Sequence, residues 1–275
     1  MRPPVFSIVT PTFNRARMVC RTIESVLSQE GNFFLDYVVV DDGSSDGTFA
    51  KAKKYARMVE DEAIGGNCGG VTFRVIRQKN RGQVAAVNRG ISVCSGDFLT
   101  WINSDDCLLP GALASAANLL KRNRNASVLV GAGNRVDLRG RVLATIRPVG
   151  LSRDSIADWW NNERFLHTSS FFARAVWDKC GPLDETFFCA FDLDFFIKVA
   201  SCFDFTTSRD VWSEVTVHRG TKTFSRYYLM AAETFVVQAR HGYEKLAVKN
   251  IESAVTPSVK SLVNKLVDRY LRHRF

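Results

Sequence analysis

The sequence lacks the features of disulfide-stabilised, zinc-binding and membrane-spanning proteins. Its seven cysteines are scattered and include no Cys-x-x-Cys pair, which argues against a disulfide framework or a zinc site and favours a reducing compartment. No apolar run reaches the roughly 18 residues that a membrane span requires. The first residues do not show the charged and then apolar layout of a secretion signal, so we expect a cytoplasmic protein.

Composition and charge restrict the choice of partners. The chain has 275 residues, 46% of them hydrophobic, which is enough for one large core. The net charge of +9 suits an anionic partner such as a phosphate group, a membrane surface or a nucleic acid. The basic residues do not gather into a patch interleaved with aromatic side chains outside the last residues, which argues against nucleic acid.

The first half of the chain alternates between two periodicities. Stretches with helical spacing separate short apolar runs rich in β-branched and aromatic residues. These runs lie at 5–10, 37–40, 72–76, 98–102 and 128–130. The alternation predicts an α/β fold with βαβ units and a mostly parallel sheet flanked by helices. The second half is less regular, and from about residue 223 its pattern is helical.

Polar residues follow four of the predicted strands, where each strand ends. These exits occupy 11–15, 41–47, 78–82 and 103–106, and the second and fourth carry adjacent aspartates. One polar exit would carry no information, because strand ends are turns and turns favour Asp, Asn and Gly. Four exits at the carboxyl edge of one parallel sheet, where α/β folds bind ligands, predict a binding site.

The two acidic pairs allow different interpretations. Asp105 and Asp106 offer hard oxygen ligands, and Mg²⁺ or Mn²⁺ is commonly held by one or two carboxylates together with phosphate oxygens. A strand end followed by a helix cap explains this pair equally well. Asp41 and Asp42 can accept hydrogen bonds from a ribose hydroxyl or a base N–H. Asp46 is better explained as the cap of the helix that follows it.

Four segments match a known family in order and spacing. "FSIVTPTFNR", "YVVVDDGSSDGT", "NRGQVAAVNRGI" and "GDFLTWINSDDCLLPGAL" resemble the motifs of family-2 glycosyltransferases with the Rossmann-like GT-A fold. The resemblance implies a GT-A catalytic domain over 1–222, followed by a C-terminal helical extension over 223–275. It also implies inverting transfer of a sugar from a nucleotide-diphosphate donor, with Mn²⁺ or Mg²⁺ as cofactor. The acceptor would be a glycan or a lipid-linked sugar, as in polysaccharide biosynthesis.

The resemblance implies roles for particular residues. Asp41, together with Asp42, resembles the acid that binds the base and ribose. Asp105 resembles the metal-binding member of the DXD motif, with Asp106 as a second candidate ligand. Asn103 stands where the family often has the first Asp of that motif; its amide can still bond a ribose hydroxyl, and the lost charge predicts weaker metal binding. The other implied donor-binding residues are Pro11, Thr12, Asn14, Asn80, Arg81, Gly82, Asn88 and Ser104.

A general base is predicted at the start of the helix in "FFCAFDLDFFIKVA". Inverting transfer requires a group that removes the proton of the acceptor hydroxyl, and Asp192 resembles the family's base. Phe191 replaces the Glu that usually precedes it, so Asp194 is kept as the alternative. Capping of the helix N-terminus explains both carboxylates without catalysis. His218, at a strand end, resembles a residue that approaches the metal or the diphosphate in relatives.

Further polar and aromatic residues lie close to these motifs in the sequence. Arg219 and Lys222 follow His218 and could neutralise the departing diphosphate. The segment that precedes the predicted base holds side chains that either contact the acceptor or pack in the core. These side chains are His167, Thr168, Ser169, Trp159, Trp160 and Trp177.

The last residues predict a basic amphipathic helix over 257–275. Apolar residues recur there at three- and four-residue steps, and five Lys or Arg side chains stand against one Asp. Such a helix docks on its own catalytic domain or on a second subunit of a homodimer, or it lies on an anionic membrane surface. Docking is the expectation, and membrane contact would make the protein peripheral at the inner face of the membrane.

Two other functions compete with glycosyl transfer. A nucleotidyltransferase also places acidic residues at strand ends, but it usually has a glycine-rich basic loop after the first strand, and "PTFNRAR" contains no glycine. A catalytically silent protein that binds a nucleotide or carbohydrate is compatible with the altered Asn103 and Phe191.

Overall fold

The computed structural model describes residues 2–65, 67–218, 220–221 and 225–254. Arg219, Lys222 and the basic helix predicted over 257–275 lie outside these ranges. Within these ranges, no helix combines the length and the apolar character needed to cross a lipid bilayer.

The first four strands form the parallel half of the sheet, in the order β3-β2-β1-β4. The strands are β1 (Val5–Thr12), β2 (Phe34–Asp41), β3 (Val71–Arg77) and β4 (Phe98–Trp101). The intervening helices are α1 (Val19–Leu27), α2 (Thr48–Glu60) and α3 (Gln83–Ser92). Both faces of β2 are buried: Tyr37 and Val39 pack on the side of α1 and α2, and Val38 and Val40 on the side of α3. This explains the apolar run over 37–40 within β2.

The second half of the sheet is mixed. Its strands are β5 (Cys107–Leu108), β6 (Val128–Val136), β7 (Val142–Ile146), β8 (Ser170–Ala173) and β9 (Phe205–Thr216). Strand β8 is antiparallel to both β4 and β6, β9 is parallel to β6, and β5 is antiparallel to β9. The described residues thus form one nine-stranded sheet in the order β3-β2-β1-β4-β8-β6-β9-β5, with β7 paired to β6. The α/β class is confirmed, and the parallel pairing expected for most of the sheet holds for its first four strands.

The short β5–β9 pairing positions the last part of the site. Strand β5 follows Asp105 and Asp106 directly, and Cys107 pairs with Glu214 of β9. Because the two strands are antiparallel, the carboxyl end of β9 runs back past the acidic pair. Thr216 and His218 therefore lie beside Asp105 and Asp106, although more than 100 residues separate the two pairs in the sequence.

The remaining helices of the described residues either alternate with the strands of the second half of the sheet or follow its last strand, β9. They are α4 (Ala112–Arg122), α5 (Arg153–Ala157), α6 (Arg174–Cys180), α7 (Phe191–Ala200), α8 (Tyr227–Arg240) and α9 (Glu244–Ala254). A 3₁₀ turn at His167–Ser169 precedes β8. Helices α8 and α9 pack against each other, and α8 also contacts α7.

An aromatic cluster joins the sheet to α7. Trp101, at the end of β4, contacts the rings of Phe195 and Phe196 on α7 and stacks on the imidazole of His167. All three hydrophobic side chains are buried. The cluster therefore holds the start of α7 and the 3₁₀ turn beside the carboxyl end of a central strand.

Candidate active site

The ends of three neighbouring strands meet at one edge of the sheet. Thr12 of β1 is in register with Asp41 of β2, and Asp41 is in register with Arg77 of β3. Thr12 Oγ1 and Asp41 Oδ1 are buried and make no hydrogen bond within the described residues. A buried polar atom without a partner is costly in a folded protein. Two such atoms on adjacent, registered residues mark a place where a ligand would supply the missing hydrogen bonds.

The two carboxylates of the Asp41–Asp42 pair have different surroundings. Asp41 Oδ2 accepts the Ser44 N–H at 3.1 Å and lies 3.3 Å from Arg77 Nε, which leaves Oδ1 for a ligand. Asp42 accepts three hydrogen bonds, from Gln78 Nε2 and from the backbone N–H groups of Arg81 and Gly82, at 2.8–2.9 Å. Asp42 therefore shapes the loop that follows β3, and Asp41 is the member of the pair that keeps a carboxylate oxygen without a partner among the described residues.

Asn14 connects the first two strand exits. Its Oδ1 accepts the Ser45 N–H and its own N–H donates to Ser44 Oγ, both at 2.9 Å. Its backbone φ of 50° is left-handed, a conformation that Asn tolerates better than most residues. Asp46 accepts the Thr48 N–H at 3.1 Å, but the N-cap residue of α2 is Gly47, so Asp46 lies one residue before the cap position and is not the cap that the sequence predicts. Pro11 is buried beside Thr12.

The loop after β3 and helix α3 contact a segment that precedes α7. Asn80 and Arg81 are exposed, and Arg81 Nη2 lies 3.1 Å from Glu185 Oε2. The Asn88 amide bonds both backbone groups of Leu183, donating to its carbonyl at 2.9 Å and accepting its N–H at 3.0 Å. The side chain of Asn88 thus anchors the segment 183–185 to α3.

Asp106 is a structural carboxyl group. It is 2% exposed, and it accepts the Thr216 N–H at 3.0 Å and Asn103 Nδ2 at 3.0 Å. Burial, and next the adjacent charge of Asp105, raise the pKa of Asp106 well above its usual range. The other end of the Asn103 amide accepts Gln83 Nε2 at 2.6 Å. Asn103 and Asp106 therefore tie β4 to β9 and α3.

Asp105 faces a different set of groups. Its Oδ2 lies 3.3 Å from His218 Nε2 and 4.0 Å from Arg15 Nη2, and its side chain is 14% exposed. Ser104, beside it, is buried. The Thr216 hydroxyl donates to the Asp105 carbonyl at 2.6 Å, which fixes the backbone and leaves the carboxylate at the sheet edge.

Asp105 and His218 can form part of a metal site. Among the described residues, no three His, Cys, Asp or Glu side chains cluster in a way that could hold a metal ion. A pair is nevertheless sufficient for Mg²⁺ or Mn²⁺ when substrate phosphates and water complete the coordination. His218 Nδ1 accepts the Gly220 N–H at 3.1 Å, so a neutral ring carries its proton on Nε2 in this conformation. Ligation through Nε2 requires that proton to move to Nδ1 and the Gly220 contact to change.

The two carboxylates at the start of α7 differ in burial. Asp192 keeps 27% of its side chain exposed, and its Oδ2 lies 4.0 Å from His167 Nδ1. Asp194 is 1% exposed and contacts Lys198 Nζ at 2.6 Å and His241 Nε2 at 2.9 Å. Burial would raise the pKa of Asp194, but the hydrogen bonds from His241 and Lys198 outweigh it and lower that pKa. Asp194 is therefore committed to an internal ion pair.

His167 is a largely buried, neutral imidazole next to Asp192. Its ring stacks on Trp101 with centroids 5.4 Å apart, and its Nε2 has no hydrogen-bond partner within the described residues. Burial lowers the pKa of His167 to about 4. At neutral pH the ring therefore adds no positive charge beside Asp192.

Packing contacts account for the other residues named before α7. The hydroxyl groups of Thr168 and Ser169 both bond Ser213 Oγ, at 2.8 and 2.6 Å, inside the protein. The tryptophans contact aromatic neighbours: Trp159 contacts Phe165, Trp160 contacts Tyr227, and Trp177 contacts Phe172 and Phe195.

Sequence reasoning missed two residues that support the site. Arg77 closes β3 and pairs with Asp41; its position directly before a polar strand exit was the available signal. Glu185 bonds Arg81 and Asn88, and no motif in the sequence marks it.

Comparisons with known proteins identify the family of the chain and relatives of its fold. The model of glycosyl transferase family 2 matches residues 7–189, more than half of the chain, and its match ends before Asp192 and His218. A chondroitin synthase of Escherichia coli is 24% identical over 201 residues, which are 72% of this chain and 27% of that protein. An uncharacterized glycosyltransferase of Rickettsia bellii is 31% identical over 146 residues, which are 53% of this chain and 19% of that protein. The chain thus spans about a fifth to a quarter of the length of these curated relatives.

Two solved structures share the fold. The crystal structure of S. aureus TarS 1–349 in complex with UDP-GlcNAc has a TM-score of 0.64 at 18% identity, over 90% of this chain and 71% of that one. The mannosyltransferase PcManGT from Pyrobaculum calidifontis, in complex with GDP-Man and Mn²⁺, has a TM-score of 0.61 at 16% identity, over 98% and 81%.

Proposed function

The chain belongs to glycosyl transferase family 2, and we propose that it is a metal-dependent inverting transferase that moves a sugar from a nucleotide-diphosphate donor to an acceptor hydroxyl. The observation that carries this proposal is the pair of buried atoms without partners, Thr12 Oγ1 and Asp41 Oδ1, at the sheet edge that also holds Asp105. The nucleoside would bond these two atoms, and the diphosphate would lie towards Asp105.

The structurally similar proteins support a nucleotide-sugar donor. One was solved with UDP-GlcNAc and another with GDP-Man and Mn²⁺. In this chain Asp105 and His218 would hold Mn²⁺ or Mg²⁺ together with phosphate oxygens of the donor. When bound, the cation would stabilise negative charge on the leaving diphosphate.

Asp192 is the proposed general base. Its carboxylate would accept the proton of the acceptor hydroxyl while that oxygen bonds the anomeric carbon and the bond from that carbon to the diphosphate oxygen breaks. Asp192 is more exposed than Asp194, whose carboxylate is held by Lys198 and His241. We assign the catalytic domain to 1–222 and the helical extension to 223–275. The proposed acceptor is a glycan or a lipid-linked sugar.

A donor screen tests this function. The melting temperature would be measured with UDP-, GDP- and dTDP-sugars, with and without Mn²⁺, for the wild type and Asp105→Ala. Asp178→Ala, at an exposed position on α6, is the matched control. A donor at about 100 times its Kd stabilises a protein by about 2.7 kcal/mol.

We expect a Mn²⁺-dependent shift for one class of donor in the wild type and the control, and its loss in Asp105→Ala. An equal shift in Asp105→Ala would contradict the metal assignment. Metal-dependent nucleotide binding without sugar transfer to any acceptor would favour the catalytically silent alternative.

A further inference from the structure

Helix α8 supplies a carboxylate to the backbone just before α7. Glu233 Oε1 accepts the Phe188 N–H at 2.9 Å, and Oε2 accepts the N–H groups of Cys189 and Ala190 at 2.6 and 2.9 Å. Ala190, at the N-cap of α7, offers no side-chain cap of its own. Three consecutive N–H groups at the positive end of a helix form a favourable site for an anion. Here a side chain of the same chain occupies that site.

The same helix holds the segment around the start of α7 at two more points. Arg240 lies seven residues after Glu233, two turns along the same helix face. Its Nη1 bonds Asp184 Oδ2 at 2.7 Å, and its guanidinium lies 4.8 Å from the ring centre of Phe187. His241 then contacts Asp194 at 2.9 Å. Helix α8 therefore contacts 184–194 before, at and after the helix start.

On its other side this segment contacts the loop after β3 and helix α3, which hold predicted donor-binding residues. Glu185 lies 3.1 Å from Arg81, and Leu183 is bonded through both backbone groups to Asn88. The segment that leads into α7 is thus fixed between α8 and the residues proposed to contact the donor. Asp192 lies in the first turn of α7, two residues after the last N–H group that Glu233 binds.

We propose that Glu233 is a positioning residue for the transfer reaction. By binding the three N–H groups at Phe188, Cys189 and Ala190, it sets the position of Asp192 relative to the loop after β3 and to α3. This inference rests on the proposed function and extends the active site to α8, beyond the residues matched by the family model. Small displacements of a catalytic group caused by distant substitutions reduce rates strongly, since transfer requires aligned reacting atoms.

The substitution Glu233→Gln tests the proposal. It keeps the size of the side chain but removes its charge and one of the two accepting oxygens. Glu252→Gln, the same change at an exposed position on α9, is the control. Three quantities would be measured: hydrogen exchange of the amides of 188–194, the Mn²⁺-dependent Kd for the donor, and kcat for transfer.

We expect faster exchange at 188–194 in Glu233→Gln, a donor Kd within about twofold of the wild type, and a kcat lower by about 10- to 100-fold. Glu252→Gln should match the wild type in all three. Unchanged exchange at 188–194 would overturn the proposal, and so would faster exchange with an unchanged kcat. A joint loss of donor affinity and kcat with faster exchange throughout the protein would show general destabilisation instead. If the wild type transferred no sugar, the proposed function itself would be contradicted, and the exchange comparison alone would decide whether Glu233 holds the start of α7.

Discussion

We expect the protein to lose stability in mild acid because of the lowered pKa of His167. The folded protein keeps this imidazole neutral down to a pKa of about 4, whereas an unperturbed histidine has a pKa of 6.5. Between these values the unfolded chain binds a proton at this position and the folded chain does not. The free energy of unfolding therefore falls as the pH is lowered from 6.5 to 4, and this contribution is fully present only above that window.

The size of the effect follows from the pKa difference. Each pKa unit corresponds to about 1.4 kcal/mol, so the full difference gives about 3 kcal/mol. The His167 side chain retains 16% of its surface exposed, and screening by solvent reduces the figure to about 2 kcal/mol. The Asp192 carboxylate, whose Oδ2 lies 4.0 Å from His167 Nδ1, favours the charged ring. It therefore also reduces the expected loss of stability.

Urea unfolding of the wild type, His167→Gln and His167→Phe at several pH values between 4 and 7 measures this contribution. Both variants lack a titrating ring nitrogen, but they differ in packing on Trp101, so their stabilities at pH 7 should differ from each other. Their loss of stability between pH 6.5 and 4 should nevertheless be smaller than that of the wild type by a similar amount. An identical slope in all three proteins would refute the assignment of a neutral, buried His167.

Two further predictions concern the support of the site and the packing of the sheet. Asp42→Asn replaces an accepting oxygen by an NH₂ group, so at least one of the three hydrogen bonds to the loop after β3 is lost. We expect the free energy of unfolding, measured with urea, to fall by about 1–3 kcal/mol, and the donor to bind more weakly. An unchanged urea midpoint would contradict the role given to Asp42. Gly131→Ala would place a Cβ 2.2 Å from Cδ2 of the buried Trp212. We expect the free energy of unfolding, measured with urea, to fall by about 1–3 kcal/mol. A variant as stable as the wild type would contradict this prediction and show that β6 and β9 can move apart.

The parallel half of the fold was predictable from the sequence. Strands β1, β2 and β4 are almost wholly buried and β3 is partly buried, so apolar runs alternate regularly with helical spacing in the sequence. The second half was harder to predict because β9 begins at Phe205, in a stretch of Thr, Ser and Arg that does not read as a strand. Its parallel pairing with β6 and its contact with β5 depend on residues that are far apart in the sequence.

The different surroundings of Asp41 and Asp42 could not be predicted from the sequence. The sequence presents Asp41 and Asp42 as equivalent carboxylates, yet three donors from a loop some 40 residues away occupy Asp42 and leave Asp41 Oδ1 without a partner among the described residues. Likewise, the contacts of Asp194 with Lys198 and with His241, the residue that follows α8, depend on the folded structure. Local sequence identifies chemically suitable residues, and long-range contacts decide which of them face a substrate.

The most direct test of the account compares donor binding and sugar transfer in Asp192→Asn. The substitution removes a basic carboxylate that we place opposite the donor, and it leaves Thr12, Asp41 and Asp105 intact. Calorimetric titration of the donor with Mn²⁺ should give the wild-type Kd, while transfer to the acceptor, followed by product formation, should be abolished. Near-native turnover in Asp192→Asn would contradict the assignment of the base and the proposed geometry of the reaction.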